Sequence, residues 1–227
     1  MQLSGENSRL EFDIIIHKKD DVYSQIECER SITKELNEYF SFDVPGAKFM
    51  PSFKNRLWDG KIRLFDIRNN QIYVGLSEYI YKFATAKKYT ISGGVRTPLE
   101  IDVGTVQSFI DGLQSTVTIR DYQLDAVQHS IRNGRCILVS PTASGKSFII
   151  YILIRYYQQI LENSHILLLV PRSSLVEQMY TDFQDYGWDS EKYCHRIYAG
   201  KDKTSPKLVH ISTWQSIYQL PKKLLIM

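Results

Sequence analysis

Residues Cys136 to Val170 constrain the fold of this 227-residue chain more than any other stretch. "CILVS" is a short, continuous apolar run, and "PTAS" follows it as a loop of small residues and proline. "GKSFIIYILIRYYQQIL" reads as a helix that is apolar almost all round, and "HILLLV" is a second apolar run. A helix apolar on every side must be buried on several sides. Apolar strands that alternate with helices, and have no polar face of their own, belong to a parallel sheet covered on both faces. The rhythm continues on either side. "DYQLDAVQHSIRNG" is helical and stops at Gly134, "SLVEQMYTDFQDYG" is another helix, and "YCHRIYAG" and "KLVHIS" are shorter strand candidates. Residues 118–227 are therefore expected to form an α/β domain on a parallel sheet.

The front of the chain has another pattern. "LEFDIII" and "VYSQIEC" are strand candidates joined by the polar turn "HKKDD". "SITKELNEYF" places Ile32, Leu36, Tyr39 and Phe40 on one helical face, with Ser31 or Thr33 as its cap. "KIRLFDI" and "QIYVGL" read as a hairpin, and "SEYIYKFATAKKY" as a second helix. Strands and helices on separate stretches predict a small α+β domain over residues 1–92. "SGGVRTP" supplies a boundary, and residues 93–117, with "VQSFIDGL" as a short helix, are expected to be the linker.

Composition excludes several classes. Hydrophobic residues make up 43% and charged residues 23%, which suits a globular core rather than disorder. A net charge of +3 permits a nucleic-acid partner without arguing for one. Cys28, Cys136 and Cys194 have neither metal spacing nor a disulfide framework, so they are expected to be reduced and structural. "MQLSGENSRLEF" is too polar for a signal peptide, and the run "FIIYILI" is too short to span a bilayer. A soluble, cytoplasmic protein with no membrane partner is expected; nothing in the sequence specifies an oligomeric state.

The loop after "CILVS" carries the chemistry. A phosphate-binding loop needs backbone N–H groups converging at a helix N-terminus, a lysine for the β- and γ-phosphates, and a Ser or Thr hydroxyl for Mg²⁺. Pro141, Thr142, Ala143, Ser144 and Gly145 supply the loop, Lys146 the cation and Ser147 the metal ligand. The pattern G-x-x-x-x-G-K-S/T lacks its first glycine here, because Ser140 stands there. A bare Gly-Lys-Ser turn arises by chance; the strand–loop–helix setting is what distinguishes this one.

"SPTASGKS" resembles motif I of superfamily 2 helicases, in which the first glycine is commonly replaced by a small residue and a Pro-Thr pair follows. The resemblance implies a RecA-like ATP-binding domain using ATP and Mg²⁺. It implies an adenine-reading glutamine, matched by Gln123 in "IRDYQLDAV", with Arg120 and Tyr122 beside the base. "LVPRSSLVEQ" is similar to the family's motif Ia, so Arg172 and Ser173 would meet a nucleic-acid phosphate. "HISTWQS" looks like the motif whose threonine, here Thr213, does the same. Each is also an ordinary strand-to-helix turn, and Trp214 is either a stacking or a core tryptophan.

"KFMPSFKNRLWDGKIRLFDIR" interleaves Lys54, Arg56, Lys61 and Arg63 with aromatics that include Trp58. Cations bind phosphates while rings pack on sugars or bases, which suits a nucleic-acid surface. A solvated hairpin with buried aromatics has the same composition. The order "FSFDV…WDGKIRLFD" resembles the front domain of the UvsW-type helicases of T-even phages. That likeness implies an ATP-driven enzyme that remodels branched DNA in recombination and repair, with single strands, R-loops and RNA–DNA hybrids among its substrates.

Superfamily 2 hydrolysis also needs a D-E-x-H/D motif and a second motor domain, and the 227 residues contain neither. The chain is thus expected to be the front piece of a helicase, with a partial RecA-like domain that hydrolyses ATP negligibly. A non-catalytic DNA-binding module with a vestigial nucleotide loop stands beside this reading. A small-molecule P-loop kinase leaves Gln123, Thr213 and the "WDG" stretch without a role.

Overall fold

The computed structural model describes residues 11–94, 97–162, 164–200 and 202–218. The chain divides after Thr97 into two units. The polar start "MQLSGENSRL" and the final "LPKKLLIM" lie outside the described residues.

The first unit runs through β1 (Ile14–Lys18), β2 (Tyr23–Cys28), α1 (Arg30–Tyr39), β3 (Ser41–Asp43), α2 (Pro51–Lys54), β4 (Lys61–Arg63), β5 (Phe65–Asp66), β6 (Gln71–Tyr73), α3 (Ser77–Lys87) and β7 (Ile91–Gly93). Five of the strands form one sheet in the order β5-β6-β2-β1-β7, antiparallel except for the parallel β1–β7 pair. The "HKKDD" turn closes because the Asp20 carboxylate accepts the N–H groups of Val22 and Tyr23, each at 2.7 Å. Ile14, Ile16 and Ile26 alternate onto the inner face, as a period of two requires, and Leu36 of α1, Phe40 just past its end, and Ile80 and Phe83 of α3 join them in the core. At the β7 edge, Gly93 has φ +79°, and a Cβ there would lie 2.2 Å from the Ile16 carbonyl oxygen. Only glycine allows that approach.

Two local expectations change. The expected cap of α1 is not a hydroxyl: Glu29 holds the position without a side-chain bond, and buried Thr33 donates back to the Glu29 carbonyl at 3.2 Å. "KIRLFDI" does not form one hairpin with "QIYVGL" either. It splits at Leu64, whose N–H bonds Phe40 O at 2.9 Å; β4 pairs with β3 in a separate two-stranded sheet, and β5 pairs with β6. The cause is burial. Phe65 sits in the core, whereas Lys61, Ile62 and Arg63 are all exposed and have no inner face to hold them in the main sheet.

The second unit contains α4 (Val103–Gly112), α5 (Asp121–Asn133), α6 (Lys146–Ile160), β8 (Ile166–Val170), α7 (Ser173–Asp185), α8 (Ser190–Tyr193), β9 (Cys194–Ile197), β10 (Val209–Thr213) and α9 (Trp214–Tyr218). Its sheet is parallel, in the order β8-β10-β9. The all-round apolar helix α6 buries Phe148, Ile149, Tyr151, Ile152 and Ile154 and packs against α5 and α7. α4, placed in the stretch expected to be a linker, puts Val106 and Ile110 into this same core. No helix among the described residues is long and apolar enough to cross a membrane.

One expected strand is missing. Cys136–Ser140 is neither helix nor strand, and Ile137 and Val139 are 90% and 95% exposed. A strand exists only through its neighbours' hydrogen bonds, and none of the described strands pairs with this segment. "HILLLV" is also less buried than its composition suggests. Leu167 and Leu169 of edge strand β8 are exposed on one face, while central β10 is buried at four of its five positions.

Candidate nucleotide site and nucleic-acid interface

The phosphate-type loop runs from Ser140 into α6. Ala143 and Gly145 both have positive φ, at 64° and 74°. A left-handed backbone favours glycine, and alanine, the smallest residue with a Cβ, holds it at a cost of about 1 kcal/mol. That accounts for two small residues in the loop. Gly145 is the N-cap of the fifteen-residue α6 and has no side-chain cap bond, so the first-turn N–H groups and the positive end of the helix face the loop.

Lys146 reaches back across its own loop, with Nζ 2.6 Å from Pro141 O and 3.3 Å from Ser140 O. The Ser140 and Ser144 hydroxyls bond each other. Thr142 is exposed. The Ser147 hydroxyl meets the Tyr186 hydroxyl at 2.7 Å, across 39 positions of sequence. Tyr186 packs edge-on against Phe148, 4.9 Å between centroids, and burial raises its hydroxyl pKa against the opposing Ser147 bond.

The start of α5 is tied to this loop. Gln123 is buried; its Oε1 accepts Arg120 N–H at 3.0 Å, and its Nε2 donates to Ser144 O at 3.0 Å. Tyr122 donates to the same carbonyl at 2.9 Å, and Arg120 donates to the Tyr122 hydroxyl at 3.1 Å. Tyr122 and Gln123 thus converge on one atom of the loop, and Arg120 is bonded to both of them. The fit at Gly145 is tight, because a Cβ there would lie 2.3 Å from Gln123 Nε2.

Among the described residues, no group of three or more His, Cys, Asp or Glu is placed to hold a metal ion. A single hydroxyl beside a phosphate loop suits Mg²⁺, which keeps waters and phosphate oxygens and takes few protein ligands. Ser147 fits that role. Burial pushes the Cys194 thiol up to about 12, which leaves it inert as a nucleophile.

Strand ends build a second concavity. Arg172 and Ser173 at the start of α7 line one cleft with Thr213 at the end of β10, because β8 and β10 are parallel neighbours whose C-terminal ends coincide at Val170 and Thr213. Arg172 is exposed, and Thr213 Oγ1 lies 3.0 Å from Ser216 Oγ. Tyr198, Gln215 and Ser216 also line the cleft, and sequence reading did not single them out. Trp214 is 57% exposed, so it is not a core residue.

In the first unit, Lys54, Arg56 and Trp58 line a cleft, while Lys61 and Arg63 stand beside the carboxylates of Asp43 and Asp59. Arg63 is paired with Asp59, holding that carboxyl at about 2, and Lys61 Nζ stands 4.0 Å from Asp43.

Residues 13–93 match the family model described as the N-terminal domain of DNA helicase UvsW, and residues 116–224 match that of the type III restriction enzyme res subunit. The ATP-dependent DNA helicase uvsW of Enterobacteria phage T4 is 34% identical over 222 residues, which cover 93% of this chain. The chain spans 44% of that relative's length. A crystal structure of the UvsW helicase from bacteriophage T4 matches with a TM-score of 0.83 at 32% identity, covering 92% of this chain and 78% of that one. A second T4 UvsW crystal structure matches equally well over 44% of its chain.

Proposed function

Since the chain belongs to the UvsW helicase family, we propose that it is the front part of an ATP-driven motor acting on branched DNA and R-loops in recombination and repair. The observation that carries this reading is the loop at the start of α6. It sets Lys146, Ser147 and unspent helix N–H groups at one point, tied through Ser144 O to Gln123 and Tyr122.

The residues then divide the work. The α6 N-terminus and the backbone of Pro141 to Gly145 cradle the phosphates of ATP. Lys146 exchanges its carbonyl partners for the β- and γ-phosphates, a stronger charge-assisted pairing. Ser147 contributes an oxygen to Mg²⁺, whose chemistry is to neutralise phosphate charge. Gln123 keeps one amide hydrogen and one lone pair beyond its present bonds, enough for an adenine edge, with Tyr122 and Arg120 beside the ring. Arg172, Ser173 and Thr213 contact the backbone of one DNA strand, and Lys54, Arg56, Trp58, Lys61 and Arg63 give the first unit its own contact.

Titration with a fluorescent ATP analogue tests the nucleotide half: Lys146→Ala is expected to abolish binding by the chain. Phosphate release is expected to stay at background, since these 227 residues hold no D-E-x-H/D motif. Wild-type binding that survives Lys146→Ala would overturn the assignment of the loop.

A further inference from the structure

The turn that ends α2 contains a feature that its own packing does not explain. Arg56 N–H bonds Phe53 O at 3.0 Å, and Leu57 N–H bonds Ser52 O at 2.9 Å. This pair of bonds, around a left-handed residue, is the Schellman ending of a helix. Glycine would take the left-handed position without strain, yet Arg56 holds it at φ 56°. The next residue in such an ending packs its apolar side chain back on the helix. Leu57 is instead 81% exposed. A cation thus stands where glycine would be easier, and a leucine faces outward where it would ordinarily be covered.

Both residues line one open cleft of about 690 Å³ with Lys48, Phe53, Lys54, Trp58 and Asp59. That volume falls within the range of small-molecule sites. Its apolar surfaces are held in place. The Trp58 indole N–H donates to Lys61 O at 2.8 Å, which fixes the ring. Phe53 lies against Gly60, where a Cβ would come within 3.1 Å of the phenyl ring. The rim is cationic: Lys48, Lys54 and Arg56 form no ion pair among those found in the described residues. The one lining carboxylate, Asp59, is already bonded by Arg63.

We propose that this cleft accepts a single unstacked nucleobase, with Phe53, Leu57 and Trp58 against the base and Lys48, Lys54 and Arg56 on its flanking phosphates. A flat apolar ring with an anion on each side is the ligand that matches an apolar floor inside a cationic rim. An intact duplex cannot offer such a base, whereas a single strand or a branch point can. The cleft therefore favours DNA wherever pairing is interrupted. This rests on the DNA reading above and deepens it.

The test compares a thymine oligonucleotide of about 15 residues with an abasic oligonucleotide of equal length, by fluorescence anisotropy on the 227-residue chain. The two carry the same phosphates and differ only in bases. Wild type is expected to prefer the base-bearing strand on the order of tenfold. Leu57→Ala is expected to lower that ratio severalfold and leave abasic binding unchanged, since so exposed a side chain has little part in folding. The pair Lys54→Gln and Arg56→Gln is expected to weaken both strands alike. Equal wild-type affinity for the two strands, or a ratio indifferent to Leu57→Ala, overturns the base pocket and leaves the DNA reading standing. Failure to bind either strand overturns both.

Discussion

Gly145→Ala tests the geometry that joins the loop to α5. The new methyl group meets two penalties. The backbone at φ +74° costs a non-glycine residue about 1–2 kcal/mol. The methyl would also stand 2.3 Å from Gln123 Nε2, so the amide must leave its bond to Ser144 O. A buried amide left unsatisfied costs about 1–3 kcal/mol. The expected loss is therefore about 2–5 kcal/mol, a large share of a domain's stability. Urea unfolding followed by the fluorescence of buried Trp188 reads it. Gly112→Ala is the control, because nothing lies within 4 Å of its Cβ and it sits in α4 without a positive φ. There the same substitution is expected to stabilise by about 0.5–1 kcal/mol. Gln123→Ala removes the obstructing amide, so the double variant should recover about 1 kcal/mol or more relative to the sum of the two single losses. If Gly145→Ala cost less than about 0.5 kcal/mol, or if the two changes were additive, the contact as described would be refuted.

Other parts of the molecule carry their own expectations. Tyr186→Phe deletes the partner of the Ser147 hydroxyl and is expected to raise severalfold the Mg²⁺ concentration needed for half-maximal binding of an ATP analogue. An unchanged Mg²⁺ dependence would make that bond structural only. The Asp59 carboxyl, held by Arg63 at about 2 instead of its ordinary 3.8, stabilises the folded turn at every pH above 3.8. That contribution fades as pH falls from 3.8 towards 2, so Asp59→Asn should flatten the acid limb of the stability profile across that window, measured by urea titration at each pH.

The loop at the start of α6 was legible in the sequence as a strand-to-helix turn of small residues because its parts are adjacent. A strand-like run, small residues, Gly145, Lys146, Ser147 and an apolar helix follow one another within one stretch, and helix start and backbone conformation are local properties. The α5 contribution was legible only by resemblance, since nothing local tells Gln123 that its amide will meet Ser144. Tyr186 left no signal at all: "DYG" reads as a helix end, and its hydroxyl reaches Ser147 only when α7 packs beside α6. The basic, aromatic stretch from Lys48 to Arg68 was read as one surface. Folding sorts it into cations paired with carboxylates at Arg63 and Lys61, and cations left facing a cleft at Lys54 and Arg56.

What the sequence determined alone is therefore most of the helices and strands and the place of the glycine turn before α6, because hydrophobic period, glycine positions and turn residues act over a few residues. Tertiary structure decided pairing and exposure. Apolar composition promised a strand at Cys136–Ser140, which lacks a neighbour to bond, and nothing local told that Leu57 would be left exposed. Strand and burial are relations between segments distant in the chain, and no single segment contains them.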